Sequence, residues 1–178
     1  MAFCNCLDEI LRGCDNNAGG LKHFYAFPLD EVTSITATAS GEITSIVLGT
    51  ASCPDPKFVE YQFTKNSSSF VEDAAIDLTN GSTYYTVSTS LVITRRDLDK
   101  RNALALAASG QQDLLIILED GNGIFWLQGQ TNGANLTQQG EGSGVAKADG
   151  SKYSVTFLSE ELEQMPTINS SIIAALIA

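Results

Sequence analysis

The amino-acid sequence predicts a mainly β protein, a sandwich or barrel with one short flanking α-helix. Three observations carry this. From Thr83 the odd positions Thr83, Tyr85, Val87, Thr89, Leu91 and Ile93 make the apolar face, and the even positions Tyr84, Thr86, Ser88, Ser90, Val92 and Thr94 make a mostly hydroxyl one. That is the period-2 pattern of a strand with one face buried. Turn chemistry separates the apolar runs, as at Asn80-Gly81 and Asp120-Gly121-Asn122-Gly123. Hydrophobic residues make up 43% of the 178 positions and charged ones 17%, a folded, low-charge composition for one domain.

Residues 1–20 read as an N-terminal arm, with room for a helical turn or two at 6–11 before Asp15-Asn16-Asn17-Ala18-Gly19-Gly20 breaks regular structure. Residues 21–27 form a first strand, stopped by Pro28. Residues 32–38 and 42–48 flank Ala39-Ser40-Gly41 as a hairpin, and 49–56, with two prolines and Cys53, is a loop. Residues 57–64 alternate, with Val59, Tyr61 and Phe63 on one face and Phe58, Glu60 and Gln62 on the other. A weaker strand covers 70–78 and turns through Asn80-Gly81 into the long strand.

A helix follows at 97–108. Thr94 or Asp97 can cap it, and Asp97 and Asp99 sit where the helix dipole favours negative charge. Twelve residues do not hold a helix alone, so it must lie on the sheet. Leu114-Leu115-Ile116-Ile117-Leu118 is apolar on both faces, and the tight turn after it leads into a strand at 124–127. Residues 129–150 read as the longest irregular segment. Residues 152–159 alternate again, with Tyr153, Val155 and Phe157 inward. Beyond the β domain at 21–160, residues 161–178 form a tail expected to bury itself against the core or another subunit.

The formal charge is −11 and the pI about 4.3, with ten Lys and Arg spread along the chain. A protein that grips nucleic acid needs clustered cations, so tight DNA or RNA binding is not expected. Net charge of this size favours solubility, and it also suits a surface facing nucleic acid that must not stick. The first residues have neither a basic start nor an apolar core, so no secretory signal is read. The apolar run at 172–178 is too short for a bilayer, which takes ~20 residues, and no membrane association is expected. The sequons at Asn66, Asn80, Asn135 and Asn169 are read as chance matches.

Candidate chemistry is sparse, and no cofactor is implied. Cys4, Cys6, Cys14 and either Cys53 or His23 can be drawn as a zinc site, but the spacing lacks CxxC knuckles, so thiols or a bridge are preferred. Gly140-Glu141-Gly142-Ser143-Gly144-Val145-Ala146-Lys147 fails the phosphate-loop spacing. His23 is the only histidine, in a predicted strand, and is read as structural. Asp97 with Asp99, Glu119 with Asp120 and Glu160 with Glu161 are read as caps, turns and solvated charge, since none has calcium-loop spacing. Trp126 is read as core, with a sugar-stacking platform as the alternative. No enzymatic activity is expected, and a small hydrolase has almost no motif support.

The order of these pieces resembles the tail-tube fold of tailed bacteriophages. The resemblance rests on the hairpin strands at 32–48, the strands from 57 to 94, the helix at 97–108, the hairpin at 113–127 and the late strand at 152–159. The stretches Thr94-Arg95-Arg96-Asp97-Leu98-Asp99-Lys100-Arg101-Asn102 and Ile124-Phe125-Trp126-Leu127-Gln128-Gly129-Gln130-Thr131-Asn132-Gly133 look like tail structural proteins of phages infecting Bacteroidetes hosts. The resemblance covers about residues 20–160, outside the cysteine-bearing arm and the apolar tail.

It implies a virion structural protein, assembled in the host cytoplasm, that forms hexameric rings stacking into a tail tube. The alternatives are a tail hub or head–tail adaptor ring, and a carbohydrate- or receptor-binding β-sandwich. In the tube the sheet would be completed across subunits. The partners would be sister copies and other tail proteins, with DNA passing without specific binding. Glu60, Gln62, Thr86, Ser88 and Ser90 are the lumen-facing candidates, lining a channel poor in cations. The loops at 49–56, 65–81 and 129–150, with both termini, are the candidate ring-to-ring contacts.

Overall fold

The structure is a computed structural model that describes Ile10 and residues 17–50, 55–108 and 112–177. The cysteines all lie outside the described residues, and with them the arm helix and the zinc or disulfide alternatives. The fold is mainly β. Among the described residues eleven strands form one mixed sheet, joined by two α-helices.

The strands are β1 (Leu21–Pro28), β2 (Val32–Ala37), β3 (Ile43–Leu48), β4 (Val59–Glu60), β5 (Ser69–Asp77) and β6 (Ser82–Thr94). After helix α1 (Leu98–Ala108) come β7 (Leu114–Asp120), β8 (Phe125–Gln128), β9 (Ala134–Gly142), β10 (Lys152–Glu161) and β11 (Thr167–Ile168), and then helix α2 (Ser170–Leu176). The main path runs β2-β3-β11-β8-β7-β9-β10-β6-β5, with β1 paired to β7 and β4 to β1. Its ends, β2 and β5, leave the sheet open within the chain. All pairs are antiparallel except β11 with β3.

The fold closes on β7. Five consecutive residues, Leu114 to Leu118, are buried, which an apolar run achieves only with a layer on each face. Alternation sends Leu114, Ile116 and Leu118 one way, with Phe24 and Ala26 of β1. There they meet Val87, Leu91 and Ile93 of β6, Tyr153, Val155 and Phe157 of β10, and Leu104 and Ala107 of α1. Leu115 and Ile117 point the other way, with Tyr25 and Phe27, into a second core formed with Ile43, Ile46, Phe58, Leu127, Ile168, Ile173 and Leu176.

The expectation of one flanking helix is corrected, because the C-terminal segment contains a second. The Asn169 side chain caps α2 by accepting from the Ser171 N–H at 3.0 Å, which satisfies an otherwise orphan donor. Ile173 and Leu176 are buried in the second core, and β11 lies between β8 and β3. The segment after residue 160 is therefore an integral part of this fold, since five apolar residues in seven positions suffice for a short helix laid on a core.

Residues 129–150 are also corrected, from an irregular segment to one containing β9. This strand is exposed from Gln138 to Gly142 and rich in Gly and Gln. It has no apolar alternation to read, and it forms because β10 offers a ladder, broken once by an irregularity at Thr137, from Lys152 opposite Gly142 to Ser159 opposite Ala134. The strand expected at 57–64 is shortened to β4, although Tyr61 N–H still donates to Phe24 O at 3.0 Å and Thr64 N–H to Val92 O at 2.9 Å.

A buried polar tie crosses the first core. Thr89 Oγ1 on β6 donates to Gln128 Oε1 on β8 at 2.7 Å, and Gln128 Nε2 donates to Val87 O at 3.2 Å. Both side chains are fully buried, so the expected outcome is asymmetric. Gln128→Leu strands the Thr89 hydroxyl and should cost about 1–3 kcal/mol, while adding Thr89→Val should recover much of the loss. Urea unfolding of the single and double variants checks this.

Candidate assembly surface

β5, β6, β10 and β9 form an antiparallel sheet that covers the first core with one face. Directly opposite residues share a face, so the register assigns the outer side. Ser90 lies opposite Ser69 and Thr156, Ser88 opposite Val71 and Leu158, and Thr86 opposite Asp73 and Glu160. The inner side carries Val87, Thr89 and Leu91 against Val155, Phe157 and Ser159. Alternation alone generates this split into a hydroxyl-rich outer wall and an apolar inner one. On the outer wall Asp73, Asp77 and Glu160 are the carboxylates, and Lys152, opposite Thr94, is the one cation among the described residues.

The structure thus brings Thr86, Ser88 and Ser90 together in one outward row. Glu60 and Gln62 do not join them. β4 pairs with β1, with Glu60 opposite Tyr25, and β1 lies on the far side of the first core. The alternation at 57–64 indicated which residues share a face, but not which strand would be the neighbour. Glu60 and Gln62 instead line a cleft of about 340 Å³ with Ile93, Asp99, Lys100 and Leu104.

Glu60 has a local partner. His23 Nδ1 lies 2.7 Å from Glu60 Oε1, and His23 Nε2 lies 4.0 Å from Glu119 Oε2. Lys22 Nζ is 3.5 Å from Glu119 Oε1. The His23 ring stacks on Tyr25 at 5.8 Å. This polar cluster ties β1, β4 and β7 together at the rim of the second core. Burial raises the Tyr25 phenol above its ordinary pKa, and the neighbouring carboxylates of Glu60 and Glu119 add to that.

The remaining candidates are engaged locally. Asp97 Oδ1 accepts from the Lys100 N–H at 2.9 Å and so caps α1. That backbone N–H, then the Lys100 side chain, holds the Asp97 carboxyl below the ordinary range. Asp120 Oδ1 accepts from the N–H groups of Asn122 and Ile124 at 2.8 and 2.9 Å, closing its turn. Glu161 Oε1 accepts from Thr131 and Asn132 at 2.9 and 3.1 Å. In the 143–151 loop, Asp149 Oδ2 accepts from Val145 and Ala146 at 2.9 and 2.8 Å. The amides that a phosphate loop would present are taken by the chain's own carboxylate, which they hold below its ordinary pKa.

Trp126 is half-buried against the first core. Its ring lies 6.5 Å from Phe70, and Nε1 donates to Asp120 Oδ2 at 3.3 Å. It is not a free platform. Among the described residues no three His, Cys, Asp or Glu form a metal cage, and no helix is long and apolar enough to cross a membrane.

Sequence reasoning missed the far end of the β5–β6 hairpin. There Ile76 and Leu78 are exposed because the strands run on past the layer that covers them, and Tyr84 is exposed on the outer wall. β5 pairs along its whole length with β6 and, among the described residues, has no strand on its other side. The available signal was length, since 13 residues of β6 exceed what the core beneath can cover. Compared with protein-family models, with curated proteins and with solved structures, the chain shows no significant match.

Proposed function

We propose that this chain is a structural subunit of a bacteriophage tail tube, without enzymatic activity. Copies join edge to edge into hexameric rings, and the rings stack into a conduit through which DNA leaves the virion. One observation carries this reading. Among the described residues, the outer wall of the β9–β10–β6–β5 sheet is rich in hydroxyls, holds a single cation, and belongs to a sheet whose end strands β2 and β5 are open.

Duplex DNA carries one charge per ~1.7 Å of axis, and binding gains from releasing its counterions to clustered Lys and Arg. A wall with one Lys beside Asp73, Asp77 and Glu160 offers no such gain, so DNA slides past. Thr86, Ser88 and Ser90 belong to this wall, while Glu60 and Gln62 do not. An unpaired strand edge is a template for another chain, and closing a ring removes it. The resemblance of the element order to tail-tube proteins points the same way, and a hub or adaptor ring would use the same wall and edges.

Purified protein is expected to give rings or tubes in negative-stain images, and a mass well above one chain by light scattering. A sample that stays strictly monomeric at high concentration overturns the proposal.

A further inference from the structure

The cleft that Glu60 and Gln62 line takes no part in the outer wall. It opens between one face of α1 and the strap formed by β4 with Tyr61 and Gln62, and its volume is about 340 Å³. Asp99 with Ala103, and Lys100 with Leu104, are four residues apart and so share that face of α1. The strap is held opposite them by the Tyr61 N–H, which donates to Phe24 O at 3.0 Å, and the Thr64 N–H, which donates to Val92 O at 2.9 Å.

The floor is apolar. Ile93 and Leu104 are buried, and Val59 and Ala103 carry the apolar surface up the two sides. The Tyr61 ring is fixed between them and the core, stacked on Phe24 at 5.5 Å. Burial raises its phenol above the ordinary pKa, so it adds no charge at neutral pH.

The rim is anionic. Asp99 stands on the helix side, and among the described residues its carboxylate has no ion pair or hydrogen bond. Glu60 stands on the strap side. Its Oε1 lies 2.7 Å from His23 Nδ1, and its Oε2 accepts one long bond from Gln62 Nε2 at 3.4 Å. A carboxylate has about four acceptor sites, so Glu60 retains capacity. Lys100 is the one cation among the described residues of the lining. Its ammonium already donates to Asp97 Oδ2 at 2.9 Å, Thr94 O at 3.1 Å and Arg95 O at 3.0 Å. An ammonium has three N–H donors, so Lys100 offers the cleft its carbon stem and no free donor.

We propose that this cleft binds a small aliphatic amine, its carbon chain on Ile93, Ala103 and Leu104 and its ammonium against the carboxylates of Asp99 and Glu60. Small-ligand pockets combine an apolar lining with a few polar groups that fix orientation, and span about 300–1,000 Å³. This cleft has that composition and a volume at the low end of that range. Charge selects the class. A carboxylic acid of the same shape would meet two carboxylates and no free donor, whereas an ammonium gains charge-assisted hydrogen bonds. The narrow volume between strap and helix favours a free amine over a protein segment. The site lies on the inner side of β6, apart from Thr86, Ser88 and Ser90, so the proposal goes beyond the tube reading and does not depend on it.

The test is titration of the full chain with n-hexylamine, followed by methyl NMR. Saturable shifts are expected at Ile93 and Leu104, with hexanoate and methylamine each weaker by about tenfold or more, since one lacks the charge and the other the chain. Asp99→Asn should weaken hexylamine by about threefold to tenfold. Ala103→Leu, at an exposed helix position, fills the cleft and should abolish the shifts with circular dichroism unchanged.

Ile93 and Leu104 unmoved up to about 20 mM hexylamine, a concentration that reveals even millimolar affinity, would overturn the proposal. So would hexanoate binding as tightly as hexylamine, or shifts that persist in both variants. Nα-acetyl-lysine methylamide binding about tenfold tighter than hexylamine would make a protein side chain the occupant, and would overturn the assignment to a free amine.

Discussion

Phe24→Ala is expected to lower the free energy of unfolding by about 3–5 kcal/mol. Phe24 is fully buried on β1, between the central layer and the β6–β10 layer. Its ring lies 5.1 Å from Phe157 of β10 and 5.5 Å from Tyr61. Tyr61 belongs to the strap after β4, whose backbone N–H also donates to Phe24 O. Truncation therefore opens a void where three segments meet, and none can close it without leaving its own ladder. A well-packed core recovers little of such a void, so the cavity adds to the lost transfer energy. Urea unfolding should show a lower midpoint at unchanged slope. Val47→Ala, at an exposed site, should move the midpoint by less than about 0.5 kcal/mol in equivalent stability. A Phe24→Ala loss no larger than the Val47→Ala loss would refute the two-core description.

Gly129→Ala has the second large expected effect, above about 2 kcal/mol. Gly129 follows β8 with φ +79°, in the left-handed region that costs a residue with a Cβ. Here the space is also missing. A Cβ at 129 would lie 2.7 Å from both Ala134 N and Leu114 O. Both are backbone atoms, held where β9 begins against β7, so neither can move aside as a flexible side chain would. The natural control is Gly41→Ala. Its φ is also positive, +86°, but nothing lies within 4 Å of the added carbon. That variant should lose only the conformational part, about 1 kcal/mol. Thermal unfolding of the pair separates strain from collision. Equal losses at the two positions would mean that the 129–133 turn is not pinned against β7.

Much of the fold was legible where side-chain pattern and backbone pairing agree. The alternation from Thr83 to Thr94 marked β6 and the split between its wet and dry sides. The all-apolar Leu114 to Leu118 marked a strand buried on both faces, and Asp97 marked the start of α1. Legibility failed where pairing acts without pattern. The exposed part of β9 carries Gln, Gly and Glu and is a strand because β10 lies beside it. The candidate wall was half legible for the same reason. Thr86, Ser88 and Ser90 could be grouped because they share one strand. Glu60 and Gln62 could not be placed relative to them, since that depends on β4 pairing with β1.

The residues alone therefore specify the class, mainly β, the inward side of β6 and β10 and several of the turns between strands. These follow from local rules of alternation, capping and backbone freedom, which act over a few neighbours. Three-dimensional packing specifies which strands become neighbours and that the C-terminal segment seals a second core with α2. Those outcomes join residues as far apart as Ile43 and Ile168, whose pairing arises only once both can cover the same face of β7.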